Sequence, residues 1–179
     1  MSLFEKIRRH LDSGGVIAYP TESCYGLGCI PENHDAVKSL LKLKKRKKSK
    51  GLILIAGNMR EIRKYMKHVP EKEILKEYWP GPNTLLIGAS RHVPPWIKGK
   101  HEKVALRVTA HRDAARLCNA IGCALVSTSA NFAGQKPAKS FRECISRFGD
   151  RILVVPGRVG KRKNPSTIMD LESGRIYRP

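Results

Sequence analysis

Gly51-Leu-Ile-Leu-Ile-Ala-Gly57 is the stretch on which the fold turns. It is apolar, closed by glycine at both ends, and far short of the roughly 20 residues that a membrane-crossing helix needs. Residues 52–55 therefore read as a core strand. Upstream, Asn33 is placed to cap a helix running to about residue 43, with Val37, Leu40 and Leu41 turned inward. Downstream, Asn58 is placed to cap another, with Ile62, Tyr65 and Met66 inward. A buried strand between two helices belongs to a layered α/β domain.

Working outward, the same pattern recurs. Ser2 and Glu5 form a capping box ahead of Leu3, Ile7 and Leu11, and Gly14-Gly15 stops that helix. Strands are expected at 16–19, 84–87, 104–108, 124–126, 152–155, 167–170 and 175–177. Helices are expected at 71–78, at 111–121 with Gly122 closing it, and at 140–148. Trp79-Pro-Gly-Pro-Asn83 marks a turn and Pro94-Pro95-Trp96 a loop. No internal repeat or low-complexity linker divides the chain. The irregular order predicts one domain over 1–179: a twisted mixed sheet with helices packed on it.

Composition narrows the function. Of 179 residues, 41% are hydrophobic, which excludes a disordered chain. Lys and Arg number 35 against 15 Asp and Glu, a net charge of +20 that draws polyanions in a salt-dependent way. Seven basic residues stand in Lys42-Leu-Lys-Lys-Arg-Lys-Lys-Ser-Lys50, and a second cluster is Arg158-Val-Gly-Lys-Arg-Lys163. These favour RNA or a phosphorylated substrate over a merely solvated face. The N-terminus has no apolar signal-peptide core, so the cytoplasm, with no membrane partner, is the expected setting. Cys24/Cys29 and Cys118/Cys123 are spaced C-x4-C, looser than the usual C-x2-C of zinc sites. The five cysteines read as buried, reduced thiols, and no metal site is expected.

Four segments concentrate small, hydroxylated and basic residues. Tyr19-Pro-Thr-Glu-Ser-Cys-Tyr-Gly-Leu-Gly28 reads as a loop in which Thr21 and Ser23 offer hydroxyls, while Gly26 and Gly28 admit a ligand or another backbone. In Lys44-Lys-Arg46, with Lys50 beyond, the i, i+2 spacing at a helix end aims two cations at one phosphate group. In Val126-Ser-Thr-Ser-Ala-Asn-Phe-Ala-Gly134, Ser127, Ser129 and Asn131 alternate onto one side of an extended segment, which favours a wet or ligand-filled pocket over core. Asn164-Pro-Ser-Thr-Ile-Met-Asp170 adds Ser166 and Thr167, with Arg175 and Arg178 following. There is no Walker loop, no G-x-G-x-x-G and no G-x-S-x-G elbow.

Taken together, these segments resemble the YrdC/TsaC family of threonylcarbamoyl-AMP synthases from about residue 15 to 178. The matching elements are Tyr-Pro-Thr-Glu with Tyr-Gly-Leu-Gly, Lys44-x-Arg46, Lys50-Gly-Leu-Ile-Leu-Ile, Trp-Pro-Gly-Pro, Ala-Leu-Arg-Val, Ser-Thr-Ser-Ala-Asn, Val-Pro-Gly and Pro-Ser-Thr-Ile, in that order. The resemblance implies the family's fold around a positively charged cavity. It also implies that L-threonine, bicarbonate and ATP, with Mg2+ carried by the phosphates, give threonylcarbamoyl-AMP and pyrophosphate, the first step of threonylcarbamoyladenosine formation in tRNA. The family's catalytic elements fall on Lys44, Arg46, Ser129 and Asn131. ATP contacts fall on Arg46, Lys50, Ser129 and Arg178, and threonine contacts on Thr21, Arg107, Ser127 and Ser166.

The sequence departs from the family at Lys47, where many members have Pro. Two other readings stand beside this one: a non-catalytic RNA-binding or ribosome-maturation protein using the same basic cavity, and a carbamoyl-transfer module like that of hydrogenase-maturation enzymes. The charge excess further implies contact with tRNA or with downstream threonylcarbamoyl-transferase proteins through residues 42–50.

Overall fold

The first helix, α1 (Leu3–Asp12), begins as the capping box requires: Ser2 N–H donates to Glu5 Oε2 at 2.6 Å and Glu5 N–H to Ser2 Oγ at 3.3 Å. The computed structural model describes residues 1–45 and 51–179. After α1 come β1 (Ile17–Pro20), β2 (Tyr25–Gly28), α2 (His34–Lys44), β3 (Ile53–Ala56) and α3 (Met59–Ile62), which runs into a 3-10 turn (Arg63–Tyr65). Then follow α4 (Lys72–Lys76), β4 (Asn83–Gly88), α5 (Pro95–Lys98), β5 (Lys103–Val108), α6 (Arg112–Ile121) and β6 (Leu125–Ser129). Last are α7 (Phe141–Phe148), β7 (Leu153–Val154), β8 (Thr167–Asp170) and β9 (Ile176–Arg178).

The caps act as expected. Asn33 Oδ1 accepts from Ala36 N–H at 2.9 Å, Asn58 Oδ1 accepts from Arg60 N–H at 2.8 Å, and Gly122 closes α6 with φ +77°. Two elements differ from the sequence reading. Residues 25–28, read as loop, form a strand antiparallel to β1, pairing Ile17 with Gly28 and Tyr19 with Gly26. Residues 95–98, also read as loop, form a short helix with Pro95 at its first turn, and Trp96 Nε1 donates to Pro31 O at 2.9 Å. In β2 long-range pairing overrode the break its glycines suggested, whereas in α5 Pro95 opens the helix at the first position, where its missing N–H costs nothing.

The strands form one mixed sheet in the order β7-β1-β2-β6-β3-β5-β4-β8-β9. On one face, α2, α7 and the 62–66 segment bury Val37, Leu40, Phe148, Ile62 and Tyr65 against Leu27, Leu54, Leu85, Leu106 and Val126. The opposite face is covered only in part. Ile7 and Leu11 of α1, with Leu117 and Ile121 of α6, cover Ile17, Tyr19, Ile55 and Leu125. Strand alternation puts Ser127 on the side of Leu125, and Ile53 on the side of Ile55. Both lie beyond the two helices, where the sheet is open.

Gly28 shows how tightly the covered part is built. A Cβ there would lie 2.5 Å from Val126 O and 2.7 Å from Tyr19 Cε1, whereas at Gly26 the nearest atom would be Thr21 Cγ2 at 3.4 Å. Gly28→Ala should therefore lower the unfolding free energy by about 1–3 kcal/mol, an overpacking penalty, in urea denaturation. Gly26→Ala should leave the midpoint nearly unchanged. Equal losses at both positions would contradict this picture. No helix among the described residues is long and apolar enough to cross a membrane.

Candidate active site

Where α1 and α6 stop, the sheet's uncovered face becomes the floor of a cavity of about 740 Å3. The register places Ser127 beside Ile53, Ile53 beside Ala105, Ala105 beside Leu86 and Leu86 beside Asp170, one lateral row running across five strands. All five residues line the cavity. Its walls also carry Lys98, Lys100, Lys103, Arg107 and Arg178, against the carboxylates of Glu102 and Asp170.

At the β6 end, three residues singled out in the sequence converge. Lys44, in the last turn of α2, is only 6% exposed. Its ammonium donates to the Ser129 carbonyl, to Ser129 Oγ at 3.3 Å, to Asn131 Oδ1 at 3.1 Å and to Asn131 O at 3.3 Å. Ser129 Oγ in turn donates to Asn131 Oδ1 at 2.6 Å, and Asn131 Nδ2 donates to Phe132 O and Gln135 O. Ser129 lines the cavity, while Lys44 and Asn131 stand behind it. A cation at a helix C-terminus is favoured by the helix dipole. Here it ties α2 to the end of β6. Arg46 and Lys50 lie outside the described residues.

Thr21 and Ser127 flank Gly26: a Cβ at Gly26 would lie 3.4 Å from Thr21 Cγ2 and 3.5 Å from Ser127 Oγ. The Thr21 hydroxyl donates to Cys24 O at 2.8 Å, bracing the turn between β1 and β2. Ser166 is four strands along, on the β8 side. It is held there by Arg178, whose Nε donates to Ser166 O at 2.9 Å and Nη2 to Ser166 Oγ at 3.0 Å, and by Thr84 Oγ1 at 2.8 Å. Ser166 thus stands with Arg178 rather than with Thr21 and Ser127.

Arg107 projects from β5 into the cavity with 7% exposure. Its Nη2 forms an ion pair with Glu22, and Nε donates to Gly81 O at 3.3 Å. Burial works to raise the Glu22 carboxyl, but the Arg107 charge and hydrogen bonds from Arg107 and Thr109 Oγ1 hold it below its ordinary value. Arg107 therefore reaches the cavity wall already paired with Glu22.

Sequence reasoning passed over Glu22, although it stands in the quoted Tyr-Pro-Thr-Glu element, and over Lys103 and Asp170. Lys103 Nζ donates to both Asp170 oxygens at 2.9 and 2.8 Å and to Glu172 at 2.7 Å. Those hydrogen bonds raise its pKa. Alternation from Arg107 would have found Lys103 on the same side of β5. Lys98, Lys100 and His101 carry no local signal, because α5 itself was read as loop. The Cys24 thiol, also on the wall, is pushed up by burial. All five cysteines are free, and no group of three or more His, Cys, Asp or Glu among the described residues is placed to hold a metal ion.

Comparison with known proteins agrees with this architecture. The threonylcarbamoyl-AMP synthase of Chromobacterium violaceum is 53% identical over 178 residues, spanning 98% of this chain and 92% of that protein. The crystal structure of P. abyssi Sua5 complexed with L-threonine superposes with a TM-score of 0.86 at 30% identity, covering 93% of this chain. This chain spans about half the length of that protein, 50%. The E. coli YciO structure shares the fold, with a TM-score of 0.85 at 24% identity over 98% of this chain and 88% of that one. The Sua5/YciO/YrdC family model, described as Telomere recombination, matches residues 9–179, and the chain belongs to that family.

Proposed function

We propose that the protein joins L-threonine, bicarbonate and ATP into threonylcarbamoyl-AMP, releasing pyrophosphate and water, as the first step of threonylcarbamoyladenosine formation in tRNA. The observation that carries this reading is the cavity itself, with cations and small polar groups set at both ends of one sheet face. Identity of 53% to a threonylcarbamoyl-AMP synthase over nearly the full chain supports it.

The chemistry suits these groups. The threonine amine and bicarbonate give a carbamate and water; a carbamate oxygen then attacks the α-phosphorus as the bond to pyrophosphate breaks. Charge builds on phosphate oxygens, where fixed cations and donors stabilise it without rearranging. We assign Thr21 and Ser127 to threonine, with the Nη1 side of Arg107 facing its carboxylate. Ser166 and Arg178 form the opposite wall. Ser129, oriented by Lys44 and Asn131, contacts the nucleotide, and Arg46 and Lys50 supply phosphate cations from the following segment. Mg2+ would be carried by the phosphates and would offset part of their charge; Asp170, occupied by Lys103, offers it no vacant carboxylate. The proposed setting is the cytoplasm, with tRNA and threonylcarbamoyl-transferase proteins downstream.

Pyrophosphate release from ATP and bicarbonate, with and without L-threonine, tests the reading. Release that depends on threonine is expected. Salt-sensitive RNA binding with no threonine-dependent turnover would instead identify a non-catalytic RNA-binding protein.

A further inference from the structure

We infer that a second, open groove of about 690 Å3, between residues 60–67 and the loop 90–92, is a docking surface for the phosphodiester backbone of structured RNA. It shares no lining residue with the cavity, and the proposed adenylate-forming step makes no use of it. Arg60, Arg63, Lys64, Lys67, Arg91 and His92 line it, with no carboxylate among the lining residues. The one acid of the 57–70 segment, Glu61, is 8% exposed and turned inward, accepting from Gly57 N–H at 2.8 Å and Asn58 Nδ2 at 2.9 Å. Only Lys64 has a carboxylate neighbour among the described residues, Glu32 at 2.7 Å; Arg60, Arg63, Lys67 and Arg91 have none there within ion-pair distance.

The backbone beneath these cations is built rather than loose. Met66 bridges Ala89, Lys67 N–H donates to Gly88 O at 2.8 Å, Ser90 N–H to Tyr65 O at 2.9 Å, and Ser90 Oγ to Lys64 O at 2.5 Å. Arg60, Arg63, Lys64 and Lys67 are thereby held opposite Arg91, a carboxylate-free arrangement that attracts a polyanion. The groove is open and has no buried donors converging on one point, so an extended chain of phosphates suits it better than a small anion. That the polyanion is RNA rests on the proposed function. The two can fail separately, since binding is measured without ATP and turnover without RNA.

The test is the affinity of an RNA hairpin transcript across a salt series. For the double variant R63E/R91E we expect affinity about tenfold or more weaker near 0.1 M salt, and a salt slope smaller by about two, roughly one for each phosphate that is no longer neutralised. Threonine-dependent pyrophosphate release should stay at the wild-type rate. R112E/R116E, with the same charge change on α6, should weaken binding much less. Wild-type affinity and slope in R63E/R91E, or an equal weakening in R112E/R116E, would overturn the assignment. If charge reversal prevents folding, R63Q/R91Q is judged by the same fall in slope.

Discussion

Lys44→Met is expected to cut threonine-dependent pyrophosphate release by about ten- to a hundredfold, the usual cost of removing a group that orients the residues touching substrate. The substitution keeps most of the side chain's length and deletes its charge. Lys44 does not line the cavity; it holds the Ser129 and Asn131 carbonyls, Ser129 Oγ and Asn131 Oδ1 in fixed positions. Without it, part-buried oxygens are left without their donor, worth about 1–3 kcal/mol of stability when unsatisfied, and the end of β6 loosens. Lys44→Arg should rescue poorly, because a planar fork replaces three donors on a point charge in an enclosed site. Steady-state release and a thermal melt, run on both variants, separate the two contributions. A Lys44→Met enzyme that melts early yet turns over within a few fold of wild type would reduce Lys44 to a strut between α2 and β6.

Glu22→Gln carries the second large effect, on stability. Glu22 and Arg107 pair beneath the cavity wall, and removing one charge leaves the other buried without its counterpart, a loss of about 3–5 kcal/mol. The amide still accepts from Thr109 Oγ1, so the change isolates charge from shape. The pH dependence has a definite sign. The folded Glu22 titrates below its ordinary value of 4.5, so its contribution is complete above that pH and disappears as pH falls through the lower, folded-state value. Denaturation curves of wild type and Glu22→Gln should therefore lie far apart at neutral pH and converge in acid. Curves separated by the same interval at every pH would show that the pair is not what holds Arg107.

How far the sequence reaches is seen residue by residue. Ser2, Asn33, Asn58 and Ser140 each cap a helix, because a cap joins groups two or three residues apart and needs nothing distant. The apolar strands at 53–56 and 104–108 were likewise legible. Tyr25–Gly28 was not. Its glycines disfavour a strand locally, and only the approach of Tyr19 and Val126 O explains why Gly28 must lack a side chain. The alternation of Ser127, Ser129 and Asn131 implied one shared, uncovered side; Ser127 and Ser129 line the cavity, whereas Asn131, past the end of β6, stands behind it.

The sequence alone determined the starts of α1, α2, α3, α6 and α7, the apolar strands other than β2, and the α/β class, since each depends on neighbours within a few positions. Tertiary structure decided which half of the sheet face α1 and α6 cover, and that Lys44 reaches residues 85 and 87 positions away. It also decided that Arg107 is bound by Glu22, and that the basic 60–67 segment is clamped against the loop carrying Arg91 in a groove apart from the cavity. Such pairings join residues distant along the chain, and no local preference records which partner closes the loop.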